Sequence, residues 1–175
     1  VVYLLHARYF AQGLLELPLP PVLAGFDLDL MTVDPDRWFS PVPPGWPAAL
    51  AVGVALGAPW LVNPVLGGLC VLLTPRVVEA VYGDRRVART ATVLLATSPW
   101  FLFMCMNYMT HTLTFAAALT AAWAAGTVVR GGHEAWLVPG GLAIGVVALI
   151  RPLEGLIVAG TLGPWVLMSG GVPLG

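Results

Sequence analysis

Three groups of residues in this chain have types and spacings that could do chemistry. In the stretch FMCMNYMTHTLTF, from Phe103 to Phe115, the polar residues Asn107, Tyr108, Thr110, His111 and Thr112 gather inside an uncharged run. A histidine there can hydrogen-bond a phosphate or a sugar, or shuttle a proton. It can equally be an interfacial side chain satisfied by backbone or water. In LIRPLEG, Arg151 precedes Pro152 and lies three residues before Glu154. Proline suits the first helical position, so Arg151 is placed beside a helix N-terminus, where amides and a guanidinium together hold anions. Against that stands a plainer reading, in which Arg151 snorkels or pairs with Glu154. The third group is Asp34 and Asp36, which form a D-P-D pattern. Paired carboxylates can hold a divalent metal, but Pro35 between them favours a turn started by an aspartate. Asp27 and Asp29 alternate with Phe26, Leu28 and Leu30, which suits an interfacial strand or a helix edge.

The elements that position these residues follow from composition. Of 175 residues, 58% are hydrophobic and only 10% are charged, and the mean hydropathy is +0.86. A soluble domain keeps about a quarter of its residues charged, so this chain is expected to be a polytopic membrane protein. All eight lysine-or-arginine positions are Arg. With abundant Ala, Gly, Val and Pro, that bias suggests a GC-rich bacterial genome. A formal charge of −1 and the lack of any basic patch argue against nucleic acid as a partner. Cys70 and Cys105 are too few for a disulfide framework and are expected to be small buried hydrophobes. No G-x-S-x-G, P-loop, C-x-x-C or H-E-x-x-H pattern occurs, so serine hydrolase, nucleotide hydrolase and zinc peptidase readings have no support. The chain starts without Met, its first residues lack the features of a secretory signal, and MSGGVPLG ends it without a stop of its own. It is therefore expected to be a fragment.

Charges divide the chain. Uncharged runs of 38 residues lie between Arg37 and Arg76, 40 between Arg89 and Arg130, 16 between Glu134 and Arg151, and 21 after Glu154. A bilayer span takes roughly 20 apolar residues. The 40-residue run predicts a helical hairpin with spans near 87–105 and 110–130, and its turn holds the Asn107–Thr112 cluster. WPAALAVGVALG, from Trp46 to Gly57, reads as a juxtamembrane or re-entrant helix. Residues 58–83 are long enough to cross once, with Pro59, Pro64 and Pro75 kinking or capping. Two more spans are expected near 135–150 and 153–170. The prolines of FSPVPPGWPAAL make a stiff loop ahead of the short helix. The expected fold is all-α, with about five transmembrane helices in residues 58–175 and juxtamembrane helices of a first extracytoplasmic loop in residues 1–57.

Arg76, Arg85, Arg86, Arg89 and Arg130 fall in two loops that positive-inside reasoning puts in the cytoplasm. Alternation then puts residues 1–57, the Asn107–Thr112 turn and the Arg151–Glu154 turn on the other side. Trp38, Trp46, Trp60 and Trp100 are expected near that face as an aromatic belt.

Taken in order, RWFSPVPPGWPAALAVGVALGAPWLVNPVLG, VYGDRRVARTATVLLATSPWFLFMCMNYMTHTL and GGLAIGVVALIRPLEGL resemble bacterial membrane glycosyltransferases of the GT-C class. They are most similar to the dolichyl-phosphate-mannose–protein mannosyltransferase-like group, family 39 of glycosyltransferases. The resemblance implies a bacterial inner-membrane enzyme that takes a sugar from a polyprenyl-phosphate donor and passes it to a protein, lipid or glycan acceptor outside. It implies a catalytic acid in an acidic pair just before a segment like YLLHARYFAQG, and therefore ahead of Val1, with Asp34 and Asp36 as the fallback. A Lys-Tyr-Pro-Pro-Gly pattern of the family is replaced here by Ser40-Pro41-Val42-Pro43-Pro44. In that mechanism a carboxylate deprotonates the acceptor hydroxyl, and positive groups receive the charge growing on the leaving phosphate. Arg151 and His111 are the expected phosphate-binding residues, Tyr108 and Asn107 the expected headgroup or sugar contacts, and Arg8 and Arg37 secondary candidates. No metal ligands are assigned, and a divalent metal stays open as a cofactor. The competing expectations are a transporter or channel fragment, which calls for ionisable residues in broken helices at mid-membrane, and a non-catalytic membrane subunit.

Overall fold

A computed structural model of the chain describes residues 1–22, 25 and 28–169. Asp27, Phe26 and residue 170, on which parts of the expectations above fall, lie outside the described residues. Helix accounts for 73% of the structure and strand for 5%, so the helical class holds, with one small sheet that an all-α reading does not include. The chain divides into two compact units, one ending at Val62 and one starting at Asn63.

The first unit contains α1 (Val2–Ala11), β1 (Leu17–Pro18), β2 (Thr32–Asp34), β3 (Arg37–Phe39) and α2 (Gly45–Ala55). The three strands pair antiparallel in the order β1-β3-β2. Asp34 pairs with Arg37, so Pro35 and Asp36 are the two-residue loop of a hairpin, the turn chemistry that Asp-Pro predisposes. Arg37 is ion-paired to Asp34 at 3.4 Å and to Glu16 at 3.2 Å, tying β1 and β2 to the central strand. α1 packs on α2 around Ala7, Tyr9, Trp46 and Leu50, all nearly inaccessible. Trp38 and Trp46 are therefore core residues and do not form the expected aromatic belt, because a large ring buried in a small unit contributes more than one left at its edge. Trp60 and Trp100 are exposed. Gly57 ends α2 at φ +71, a left-handed conformation that suits glycine.

A short 3-10 turn, Pro59–Leu61, leads into α3 (Val62–Tyr82). The second unit continues with α4 (Arg85–Thr97), α5 (Pro99–Cys105), α6 (His111–Val129), a 3-10 turn at Glu134–Trp136, α7 (Leu137–Ile150) and α8 (Pro152–Ser169). Among the described residues, two continuous helical segments are long and apolar enough to cross a membrane, Pro59–Tyr82 with 24 residues and His111–Val129 with 19. A third is added if α4 and α5 make one span, but they bend by 61°. The unbroken span expected over 87–105 is thus interrupted. Ser98 is extended, its hydroxyl accepts from the Phe101 amide at 3.4 Å, and Pro99 opens α5. A residue before proline is driven out of the helical region, and Ser-Pro then starts a new helix.

α7 has 14 residues, about 21 Å at 1.5 Å per residue, short of a hydrocarbon core roughly 30 Å thick. α6 and α7 pack through Ala117, Ala121, Ala143 and Val147, with Val158 and Leu162 of α8 against them. Small residues allow close approach: a Cβ on Gly140 would come within 3.1 Å of Ala124, and one on Gly155 within 2.7 Å of the Ala148 backbone. A second cluster joins Cys70, Phe101, Cys105 and Ala116 between α3, α5 and α6. Large apolar side chains point outward instead, with Val65, Leu94, Leu142, Leu156 and Leu167 all more than 60% exposed. In water that surface would be a liability; in lipid it is the ordinary outside of a helical bundle.

Candidate functional site

The turn between α5 and α6 is built by side chains that satisfy its backbone. The Asn107 Oδ1 accepts from the Met109 amide at 2.8 Å, and its Nδ2 donates to the Phe103 carbonyl at 3.1 Å. From α3, the buried Asn63 donates through Nδ2 to the carbonyl of Asn107 and, at 3.1 Å, to that of Met109. The Thr112 hydroxyl donates to the Met104 carbonyl at 3.2 Å, and the Thr114 hydroxyl donates to the Thr110 carbonyl at 3.0 Å. An irregular stretch at a bundle's end needs such partners, because a carbonyl or amide left bare in an apolar setting is costly. Most of the polarity in NYMTHT is thereby accounted for. The Asn107 amide, expected at a headgroup or sugar, is spent on the turn.

Two groups of this segment are placed differently. Thr110 occupies the N-cap of α6, yet its hydroxyl makes no capping bond. It accepts instead from the Nε of Arg151 at 3.2 Å, across 41 residues of sequence. His111, the first residue of α6, is exposed and lines a cavity of about 540 Å³. Tyr108 is 37% exposed.

Arg151 sits at the corner where α7 ends and α8 begins; its amide donates to the Val147 carbonyl at 2.7 Å and its carbonyl accepts from Gly155 at 2.9 Å. The negative end of α7 and the positive end of α8 meet there, so the helix dipoles largely offset at the guanidinium. Its Nη1 is ion-paired to Glu154 in the first turn of α8. The pair foreseen as the plainer reading of Arg151 is therefore present, and a carboxylate already lies at the helix N-terminus. The two side chains are 35% and 42% exposed, so the pair contributes no more than about 1 kcal/mol.

Glu154 lines the same cavity as His111, together with Ser98 at the α4–α5 break and the hydroxyl-bearing Thr112 and Thr114. The rest of the wall is apolar, supplied by Trp100, Phe101, Phe115, Val147 and Ile157 among others. The cavity is thus amphipathic: an imidazole and a carboxylate backed by a guanidinium line it, with hydrocarbon around them. A ligand with a small polar head and an apolar tail fits such a space.

The structure joins Arg151 to Thr110 and to Glu154, and sets Glu154 and His111 on the wall of one cavity. Asn63 and Ser98 were missed by sequence reasoning. Ser98 carried a readable signal, a Ser-Pro step inside an apolar run, whereas Asn63 acts through a contact 44 residues away. The remaining candidates belong to the first unit. There Asp34 and Arg37 are bound to one another, and Asp36 sits in the hairpin loop. Arg8 is in the last turn of α1, which carries the buried and stacked His6 and Tyr9, ring centroids 4.7 Å apart. Burial lowers the pKa of the His6 imidazole and raises that of the Tyr9 phenol. Among the described residues, no three His, Cys, Asp or Glu side chains gather as a metal site.

No family model, curated protein or solved structure matches this chain.

Proposed function

We propose that this chain is part of a GT-C-like membrane glycosyltransferase that binds a polyprenyl-phosphate-linked sugar donor at the Arg151–His111 end of its bundle. One observation carries the reading. Arg151 reaches across 41 residues of sequence to Thr110 and pairs with Glu154, and Glu154 and His111 line one cavity whose wall is otherwise largely apolar. In this reading Arg151 and His111 offset the charge that grows on the lipid phosphate as the glycosidic bond breaks. A carboxylate deprotonates the acceptor hydroxyl. α7 and α8 count as spans four and five, with α7 thinning the bilayer or lying against neighbours to make up its length. The cavity faces the extracytoplasmic side, as the arginines of the other loops direct.

The experiment is donor binding in lipid nanodiscs. A polyprenyl monophosphate should bind the wild-type chain, and Arg151→Ala should weaken it at least about tenfold, the cost of losing a charge-assisted contact to phosphate. Arg130→Ala should leave binding unchanged. Equal binding by wild type and Arg151→Ala would remove Arg151 from the site.

A second reading draws on the bent α4–α5 pair. A helix broken at Ser98, beside the cavity, is also how transporters expose backbone to a substrate. Transport predicts that the cavity is labelled from both sides of the membrane as conditions change. Glycosyl transfer predicts labelling of His111→Cys from one side only, with Arg85→Cys labelled from the other.

A further inference from the structure

The pair between Arg151 and Glu154 poses a problem for any anion that is to use Arg151. A carboxylate already holds Nη1, and a phosphate brought beside it would meet a like charge. Three observations indicate how that conflict is resolved. Glu154 reaches Arg151 by its side chain alone, from the first turn of α8, and it also lines the cavity. It therefore has open space to turn into without any movement of backbone. The pair is more than a third exposed on both sides, so exchanging one anion for another costs little. The guanidinium has a second tether besides Glu154: the hydroxyl of Thr110, itself 6% exposed, accepts from Nε. That bond keeps Arg151 aimed at the α6 end when Nη1 is released.

We propose that Glu154 is an exchangeable stand-in for a phosphate. It occupies the guanidinium of Arg151 until the phosphate of an amphiphilic ligand replaces it, while Thr110 keeps the guanidinium in place. The inference rests on the donor-binding reading above and assigns Glu154 a positioning and selecting role within it. An uncharged lipid alcohol cannot displace the carboxylate, so the exchange admits phosphate esters and turns away the dephosphorylated lipid. His111, on the wall of the same cavity, offers a second donor to a phosphate oxygen once the exchange has occurred.

The test compares wild type, Glu154→Gln and Glu154→Asp in nanodiscs, with polyprenyl monophosphate, polyprenol and inorganic phosphate as separate probes. Removing the competing charge in Glu154→Gln should tighten polyprenyl monophosphate roughly two- to fivefold, the worth of a partly exposed pair. Affinity for polyprenol should not change. Glu154→Asp keeps the acidic first turn that suits a helix start, with a shorter reach, and should tighten binding by a smaller factor. Tightening of inorganic phosphate to the same degree would support the exchange and assign it to a free anion. Equal or weaker lipid-phosphate binding by both variants, with wild-type binding intact, would overturn the stand-in while leaving the donor-binding reading. Failure of wild type and both variants to bind any phosphate would overturn both.

Discussion

Arg130 and Arg151 look alike in the sequence, each a single arginine closing an uncharged run. Their partners differ. Arg130 follows α6, and its Nε donates to the Ala80 carbonyl at 2.6 Å, near the C-terminal end of α3. Helix C-termini carry unpaired carbonyls and the negative end of the dipole, so a cation is stabilising there. Its guanidinium lies 3.0 Å from where a Cβ on Gly83 would be, and Gly83 takes φ +70 to end α3. Arg76 stands over the Trp123 ring at 5.6 Å, and Trp123 meets Trp136 at 4.7 Å. Backbone and rings surround that end of the unit, and they cannot be exchanged for a ligand. Arg151 is held by side chains only, a hydroxyl and a carboxylate, at a corner where dipoles offset and a cavity opens. The partners of an arginine, more than its position at the end of a span, separate an anchor from the site proposed here.

That contrast can be broken most severely at Asn63. Its Nδ2 holds two carbonyls of the turn that carries Thr110 and His111, and Asn63→Ala leaves both without a partner in a buried setting. A loss of about 2–3 kcal/mol is expected from two buried acceptors left bare, read as a lower midpoint of unfolding in detergent. Phosphate-lipid binding should fall with it. Next comes Arg130→Ala, expected to cost about 1–2 kcal/mol through the lost carbonyl contact and dipole term, with lipid binding intact. Arg151→Ala should invert that pattern, losing less than about 1 kcal/mol of stability while carrying the binding loss. If both arginine variants changed stability and binding in equal measure, the distinction would fail.

The smallest effect belongs to the first unit. Burial lowers the pKa of His6 from its ordinary 6.5, so in the window below 6.5 the unfolded chain binds more protons than the folded one. Stability from this group is complete above pH 6.5 and declines as pH falls toward the folded-state value. His6→Phe should flatten the acid side of a stability–pH curve for the α1–α2 pair, and an unchanged curve would show that His6 is not the cause.

Charge-free run lengths locate helices well when a helix is long and continuous. α6, His111–Val129, occupies the interval read as 110–130, and α3 fills the run that holds three prolines. They fail where local chemistry overrides hydropathy. Ser98-Pro99 breaks an uncharged run read as one span, and the turn read at Asp34-Pro35-Asp36 is present, but as the loop of a hairpin whose strands the run lengths did not show. Both signals were present as dipeptide chemistry. The site is less legible for a different reason. Arg151 and Glu154 are neighbours on one turn and their pairing was foreseeable, but the Thr110 contact depends on how α6 meets the α7–α8 corner. Nothing in the spacing of NYMTHT told which of its polar groups serve the turn and which face the cavity.

The most direct measurement is photocrosslinking with a polyprenyl monophosphate that carries a diazirine near its phosphate, followed by peptide mapping. The account predicts adducts on peptides containing His111 and Glu154, competed by unlabelled lipid phosphate and lost in Arg151→Ala. Adducts confined to the Arg130 end, or adducts at His111 that persist unchanged in Arg151→Ala, would contradict it.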